Sequence, residues 1–190
     1  MKFSKVILIL IIEFVLSNEI QAWKNNLLIP TRLECDASPE WFSNYTCHIK
    51  PVSRTKKIIV AWGIIKKPIN KVFMHVQIFK RFNGWQPYLI NESFEGCELL
   101  DGKKSSNSFH NYIYKISKPL LDKYTNINHP CPYNGTVELY EVDYNKVDVP
   151  AAKGTVFPSG YYKVIAKVHE ANNSIIGTGV LQGIVKEIKI

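Results

Sequence analysis

The feature that most narrows the fold is an alternation of apolar and polar residues that runs into a turn signal. From Lys71 to Lys80, Val72, Met74, Val76 and Ile78 take alternate positions, with His75 and Gln77 between them. Successive side chains of a strand point to opposite faces, so this spacing predicts a half-buried strand. Asn83-Gly84 follows at once, the dipeptide best suited to closing a tight hairpin. The return strand is expected from Trp85 towards Phe94, and Pro87, which has no N–H to donate, points to a sheet edge or a bulge.

Other segments carry the same period. Lys57 to Ile65 is apolar on both faces, which predicts a central strand packed on both sides and ended by Pro68. Thr136 to Asp143 reads as a strand; Tyr162, Val164, Ala166 and Val168 alternate again. Asn172-Asn173 turns the chain into a last strand from about Ile175 to Ile188, and Val147 to Gly160 is a long connection rich in Pro and Gly.

Ser105 to Tyr124 differs: Phe109, Tyr112, Ile113, Ile116, Leu120 and Leu121 recur at spacings of three and four, one face of a helix. Ser106, Asn107 or Ser108 is the expected cap, and Pro119 inside the pattern predicts a kink or two short helices. Roughly seven strands with one kinked helical insertion predict a mainly β chain, an antiparallel immunoglobulin-like β-sandwich. Without a linker or a repeat, it is expected to form one domain over residues 23–190.

The first 22 residues set the expected compartment. Lys2 and Lys5 precede an apolar run from Val6 to Leu16, broken by Glu13, and Gln21-Ala22 offers a small residue for cleavage. That order is a signal peptide, whereas a membrane span needs roughly 20 apolar residues. The expectation is therefore a secreted, extracellular chain without a transmembrane segment. Four cysteines, Cys35, Cys47, Cys97 and Cys131, then read as two disulfides. Three pairings are possible, and Cys35–Cys47 with Cys97–Cys131 is preferred because each closes a modest loop. Four sequons at Asn44, Asn91, Asn134 and Asn172 fit the same compartment, all at predicted turns or strand ends.

The net charge of +8 comes from lysines spread along the chain rather than from a basic block, so nucleic acid is not an expected partner. Solubility explains this charge better than attraction to acidic glycans or head groups does. The sequence has no nucleophile elbow, HExxH pair or Gly-rich phosphate loop. Gly177-Thr178-Gly179 lies in a strand pattern, where glycines mark a bulge or close packing. His110, His129 and Cys131 make a zinc site only on paper, since secretion favours the disulfide. Neither a metal nor a cofactor is expected, no carboxylate pair stands out, and the chain reads as a non-enzyme.

The element open to a function is the apolar helical face. Either it is ordinary core capping the sandwich, or Phe109, Tyr112, Ile113 and Ile116 line the entrance of a hydrophobic pocket between splayed sheets.

The stretch Phe79-Lys80-Arg81-Phe82-Asn83-Gly84-Trp85-Gln86-Pro87-Tyr88-Leu89 resembles the hairpin of a large insect family of secreted proteins of unknown function. Asn91 and Cys97 follow at the expected intervals. Asn126-Ile127-Asn128-His129-Pro130-Cys131-Pro132-Tyr133 is similar to that family's Asn-x-x-His-x-Cys-Pro-Tyr element. Phe157-Pro158-Ser159-Gly160-Tyr161-Tyr162 resembles its strand entry, and Cys35 and Cys47 fit as well. The family is related to the ML-type lipid-recognition sandwiches, the group of the ganglioside activator, and includes the insect chemosensory B proteins. The resemblance implies a β-sandwich with a hydrophobic cavity and a non-enzymatic, ligand-carrying role. The resulting expectation is a monomeric, secreted binder of a lipid, cuticular hydrocarbon or pheromone, an accessory factor in chemosensation. The alternative is an accessory protein that binds a receptor ectodomain and has no ligand of its own.

Overall fold

A computed structural model describes residues 25–53, 57–101, 108–143 and 157–188. Within them the chain order is β1 (Asn25–Ala37), β2 (Phe42–Pro51), β3 (Lys57–Ile69), β4 (Phe73–Arg81), β5 (Trp85–Glu95), a short helix α1 (Gly96–Leu100), helix α2 (Ser108–Tyr124), β6 (Tyr133–Asp143), β7 (Gly160–His169) and β8 (Ile175–Ile188). All strand pairs are antiparallel. They form one sheet in the order β1-β8-β7-β4-β5 and a second in the order β2-β3-β6. The chain is a mainly β antiparallel sandwich with a helical insertion, as its periodicity predicts.

The alternating segment is β4, paired on one side with β7 and on the other with β5 across a connection of Phe82, Asn83 and Gly84. Pro87 lies on β5, which is both an edge strand and irregular: its register shifts opposite Gln77 and Phe79, and Leu89 takes φ +60°. Edge and bulge therefore occur together, and a proline costs little where no neighbour asks for its N–H. At the other end of β7, Asn173 adopts φ +66°, while the Asn172 side chain accepts a bond from the Ser174 N–H at 2.8 Å. Asn tolerates the left-handed region better than most residues, which is why this pair turns the chain into β8.

Several expectations are corrected. Pro68 does not end β3, which continues to Ile69, because pairing with β6 is interrupted between Ile65 and Ile69 and no ladder bond is lost. β3 is central through its pairing with β2 and β6, and the adjacent Ile58 and Ile59, on opposite faces, are both buried, but Ile64 is exposed, so the strand is packed on both sides only over its first part. Of the two outcomes expected at Pro119, the two short helices do not occur and the kink does: the insertion is one bent helix with Pro119 inside it. There are eight described strands rather than seven, and β1, β2 and α1 carry too little periodicity to stand out in the sequence. α1 is capped by the Glu95 carboxylate, which accepts from the Cys97 and Glu98 N–H groups.

Both preferred disulfides are present. Cys35–Cys47 ties β1 to β2 and thus one sheet to the other, with Cα atoms 6.1 Å apart. Cys97–Cys131, with Cα atoms 5.5 Å apart, joins α1 to the loop after α2 and so tethers the helical segment at both ends. All four sequon asparagines are exposed. Asn134 and Asn172 lie at a strand end and a turn, but Asn44 and Asn91 sit inside β2 and β5, edge strands whose outward positions leave room. The basic-apolar-small segment 1–22 lies outside the described residues, as do Ser106, Asn107 and most of the connection from Val147 to Gly160.

Candidate ligand cavity

The two sheets are closed at one end by a core of Trp41, Ile65, Ile69, Val72, Tyr133 and Ile176. Burying side chains of this size removes roughly 1.5–3 kcal/mol each of unfavourable hydration. A second cluster of Ile78, Tyr162 and Val185, with Tyr88 and Phe157 packed on it, fills the opposite end of the five-stranded sheet. Tyr162 meets Tyr88 and Phe157 edge-on, each at 5.7 Å between centroids.

Against the first cluster the sandwich is hollow: a cavity of about 510 Å³ lies between the sheets. One wall is the inner face of the five-stranded sheet, with Met74, Phe94, Ala166 and Val168. The other is Phe42, Ile65, Ile69 and Val137 of the three-stranded sheet, while Leu99 and Leu100 of α1 and Ile113, Ser117 and Leu121 of α2 close the side. The helical residues are four apart, so one stripe of α2 faces the cavity. A smaller space of about 360 Å³ adjoins it, reaching Tyr45, Trp62 and the Cys47 arm of the disulfide. Phe42, Leu121, Ile127 and Val137 line both spaces and form the partition. The Phe42 ring packs over Gly63 of β3, where a Cβ would come within 2.8 Å of it.

The cavity has little polar chemistry of its own. Among the described lining residues there is no Lys, Arg or His, and the one carboxylate, Asp36, is exposed. The Tyr133 hydroxyl is already used, donating to the His129 carbonyl at 2.7 Å. Burial, and then the negative charge of Glu95, push its pKa up to about 12, so the ring remains a neutral wall. The Ser117 hydroxyl donates to the Tyr114 carbonyl at 3.5 Å.

Of the four residues expected at an entrance, Ile113 lines the cavity. The side chains of Phe109, Tyr112 and Ile116 lie outside the described residues. Sequence reasoning did not anticipate α1 or the contributions of β8, where Gly177 and Gly179 border the space. Gly177 does permit close packing, since a Cβ there would sit 3.1 Å from the Asp36 carbonyl. Gly179 corrects the expectation: it is neither at a register shift nor in close contact.

The described histidines do not converge. His75 bonds Ser93 across the strands at 2.7 Å, His169 stacks on Phe73 at 5.7 Å and His129 lies against Tyr133. Among the described residues no three metal-ligating groups come together, and Cys131 is held in its disulfide. No described helix is long and apolar enough to cross a membrane.

Residues 74–164 match the family described as protein of unknown function (DUF1091). That span runs from β4 through both helices into β7 and contains the hairpin and the Cys97–Cys131 bridge. No curated protein matches the chain.

Proposed function

We propose that this chain is a secreted, non-enzymatic carrier of a hydrophobic small molecule, held between the two sheets. The observation that carries the reading is the apolar cavity of about 510 Å³, within the size range of small-ligand pockets. Burying an alkyl chain there contributes roughly 0.8 kcal/mol per methylene, against association costs of roughly 4 kcal/mol or more. A chain of about ten carbons is therefore enough for measurable binding. With no described cation in the lining, a ligand's charge would be buried without a partner, which favours neutral molecules or a head group left at the mouth.

The sequence resemblance supports the same reading: kinship with ML-type lipid-recognition sandwiches and with insect chemosensory B proteins implies a lipid or pheromone-like cargo and an accessory role in chemosensation. Two disulfides agree with an extracellular setting, and the proposal includes cleavage of the first 22 residues and glycans at Asn44, Asn91, Asn134 and Asn172. Glycosidase digestion of the secreted protein should lower its mass and convert occupied asparagines to aspartate. An unchanged mass would remove the glycans from the proposal.

The test of the carrier role is native mass spectrometry of gently purified protein together with displacement of a fluorescent fatty acid. Bound mass in stoichiometric amount, or displacement at micromolar protein, is expected. Neither would leave the alternative, an accessory protein for a receptor ectodomain, which a filled core and a broad exposed apolar patch would have favoured.

A further inference from the structure

The inner face of the five-stranded sheet is organised in rows that cross the strands. Ala37, Gly177, Val168, Met74 and Phe94 pair in sequence across β1, β8, β7, β4 and β5. The next row is Cys35, Gly179, Ala166 and Val76, with the exposed Glu92 paired to Val76 on the edge strand, and the one beyond it is Leu33, Leu181, Val164 and Ile78. Every residue of the first row lines the cavity, as do Cys35, Gly179 and Ala166 of the second, but none of the third does. The cavity therefore ends at the second row, where the residues that line it, Cys35, Gly179 and Ala166, are small, and the larger side chains of the third row lie beyond it.

Gly179 is the residue of that row without a local explanation. Its φ is not in the left-handed region, and a Cβ built on it meets nothing within 4 Å. Gly183, two positions beyond Leu181 on the same strand, is different: a Cβ there would fall 2.9 Å from the Ile29 carbonyl. Glycine in a strand interior weakens the strand, because the unfolded chain gains freedom and no side chain packs. At position 179 the backbone and the neighbours leave this disadvantage uncompensated, and what the missing side chain leaves behind is open space at the end of the cavity.

We infer that Gly179 is a specificity-determining residue that sets how long a chain the cavity accepts. This rests on the carrier reading and adds to it a ligand shape: an extended alkyl chain whose tail ends over Gly179, with any polar group at the other end of the cavity.

The experiment is a competition series from octanol to octadecanol against the neutral fluorophore N-phenyl-1-naphthylamine, run on the wild type, Gly179→Ala and Gly179→Leu. Affinity for the wild type should rise roughly fourfold per added methylene and then level off once the cavity is filled. In Gly179→Leu the plateau should begin about three to four carbons earlier, so that the longest alcohols bind on the order of 50- to 250-fold more weakly and the shortest within about twofold of wild type. Gly179→Ala should shift the plateau by about one carbon and raise the urea midpoint, which keeps the inference testable if the leucine variant does not fold. A wild type with length-dependent binding and variants with the same plateau would overturn the role of Gly179 and leave the carrier reading standing. A wild type that releases the fluorophore to no alcohol, or never binds it, would overturn both.

Discussion

Removing the Cys97–Cys131 bridge is the most informative stability experiment, because the protein contains its own control. A cross-link restricts the unfolded chain by an amount that grows with the loop it closes. The sequence separation is 34 for Cys97–Cys131 and 12 for Cys35–Cys47. In the chain-entropy account these loops correspond to about 3.8 and about 2.8 kcal/mol at 25 °C. None of the four cysteines is left free, and all are half-buried, so transfer contributions to the two double variants are similar. Replacing each pair by alanine and following urea unfolding by tryptophan fluorescence should show Cys97→Ala/Cys131→Ala to be the less stable variant by about 1 kcal/mol. Hydrogen exchange supplies a second readout: α2 lies inside the longer loop and packs against α1 and β6, so its amides should exchange faster in that variant alone. An equal or larger loss from the Cys35–Cys47 pair, with α2 protected in both, would refute the reasoning and place the stabilisation in native contacts between the sheets.

Two further predictions concern the walls of the cavity. Gly63→Ala puts a methyl 2.8 Å from the Phe42 ring, so the ring must leave the partition; a loss of about 1–3 kcal/mol is expected in urea unfolding, with altered fluorophore binding. Unchanged stability and binding would mean that the ring moves freely and partitions nothing. Tyr133 and Tyr162 both have pKa values pushed up to about 12, mainly by burial. The unfolded chain loses these phenolic protons first, near pH 10, so the native state binds more protons between pH 10 and 12 and stability falls as pH rises through that window. Below pH 10 the two tyrosines add no slope, and Tyr133→Phe and Tyr162→Phe should each flatten the alkaline limb of stability against pH; limbs parallel to wild type would contradict the assignment.

Much of the fold was legible as period. The alternation of β4, the turn at Asn83-Gly84, the alternation of β7 and the Asn172-Asn173 turn into β8 are local effects, in which side-chain spacing and turn chemistry act within a few residues. The disulfide pairing followed from loop size and the even cysteine count. β1 was harder to read because its register shifts between Pro30 and Arg32, breaking the alternation of its inward side chains. α1 is one turn closed by a glutamate cap, too short to show a period.

The sequence by itself determined which residues are apolar, in what rhythm, and therefore that two sheets and an amphipathic helix must bury them against one another. It did not determine whether that burial is complete. Val168 and Met74 read as the buried faces of strands and Ile113 as either core or pocket lining, and only the distance between sheets, held by the Cys35–Cys47 bridge and by α2, leaves space in front of them. Gly179 makes the same point in one residue. In sequence it is a glycine in a strand, a mark of a bulge or a tight contact; in the folded chain nothing lies within 4 Å of where its side chain would begin. Emptiness is a property of how surfaces are spaced in three dimensions, and no local pattern of residues encodes it.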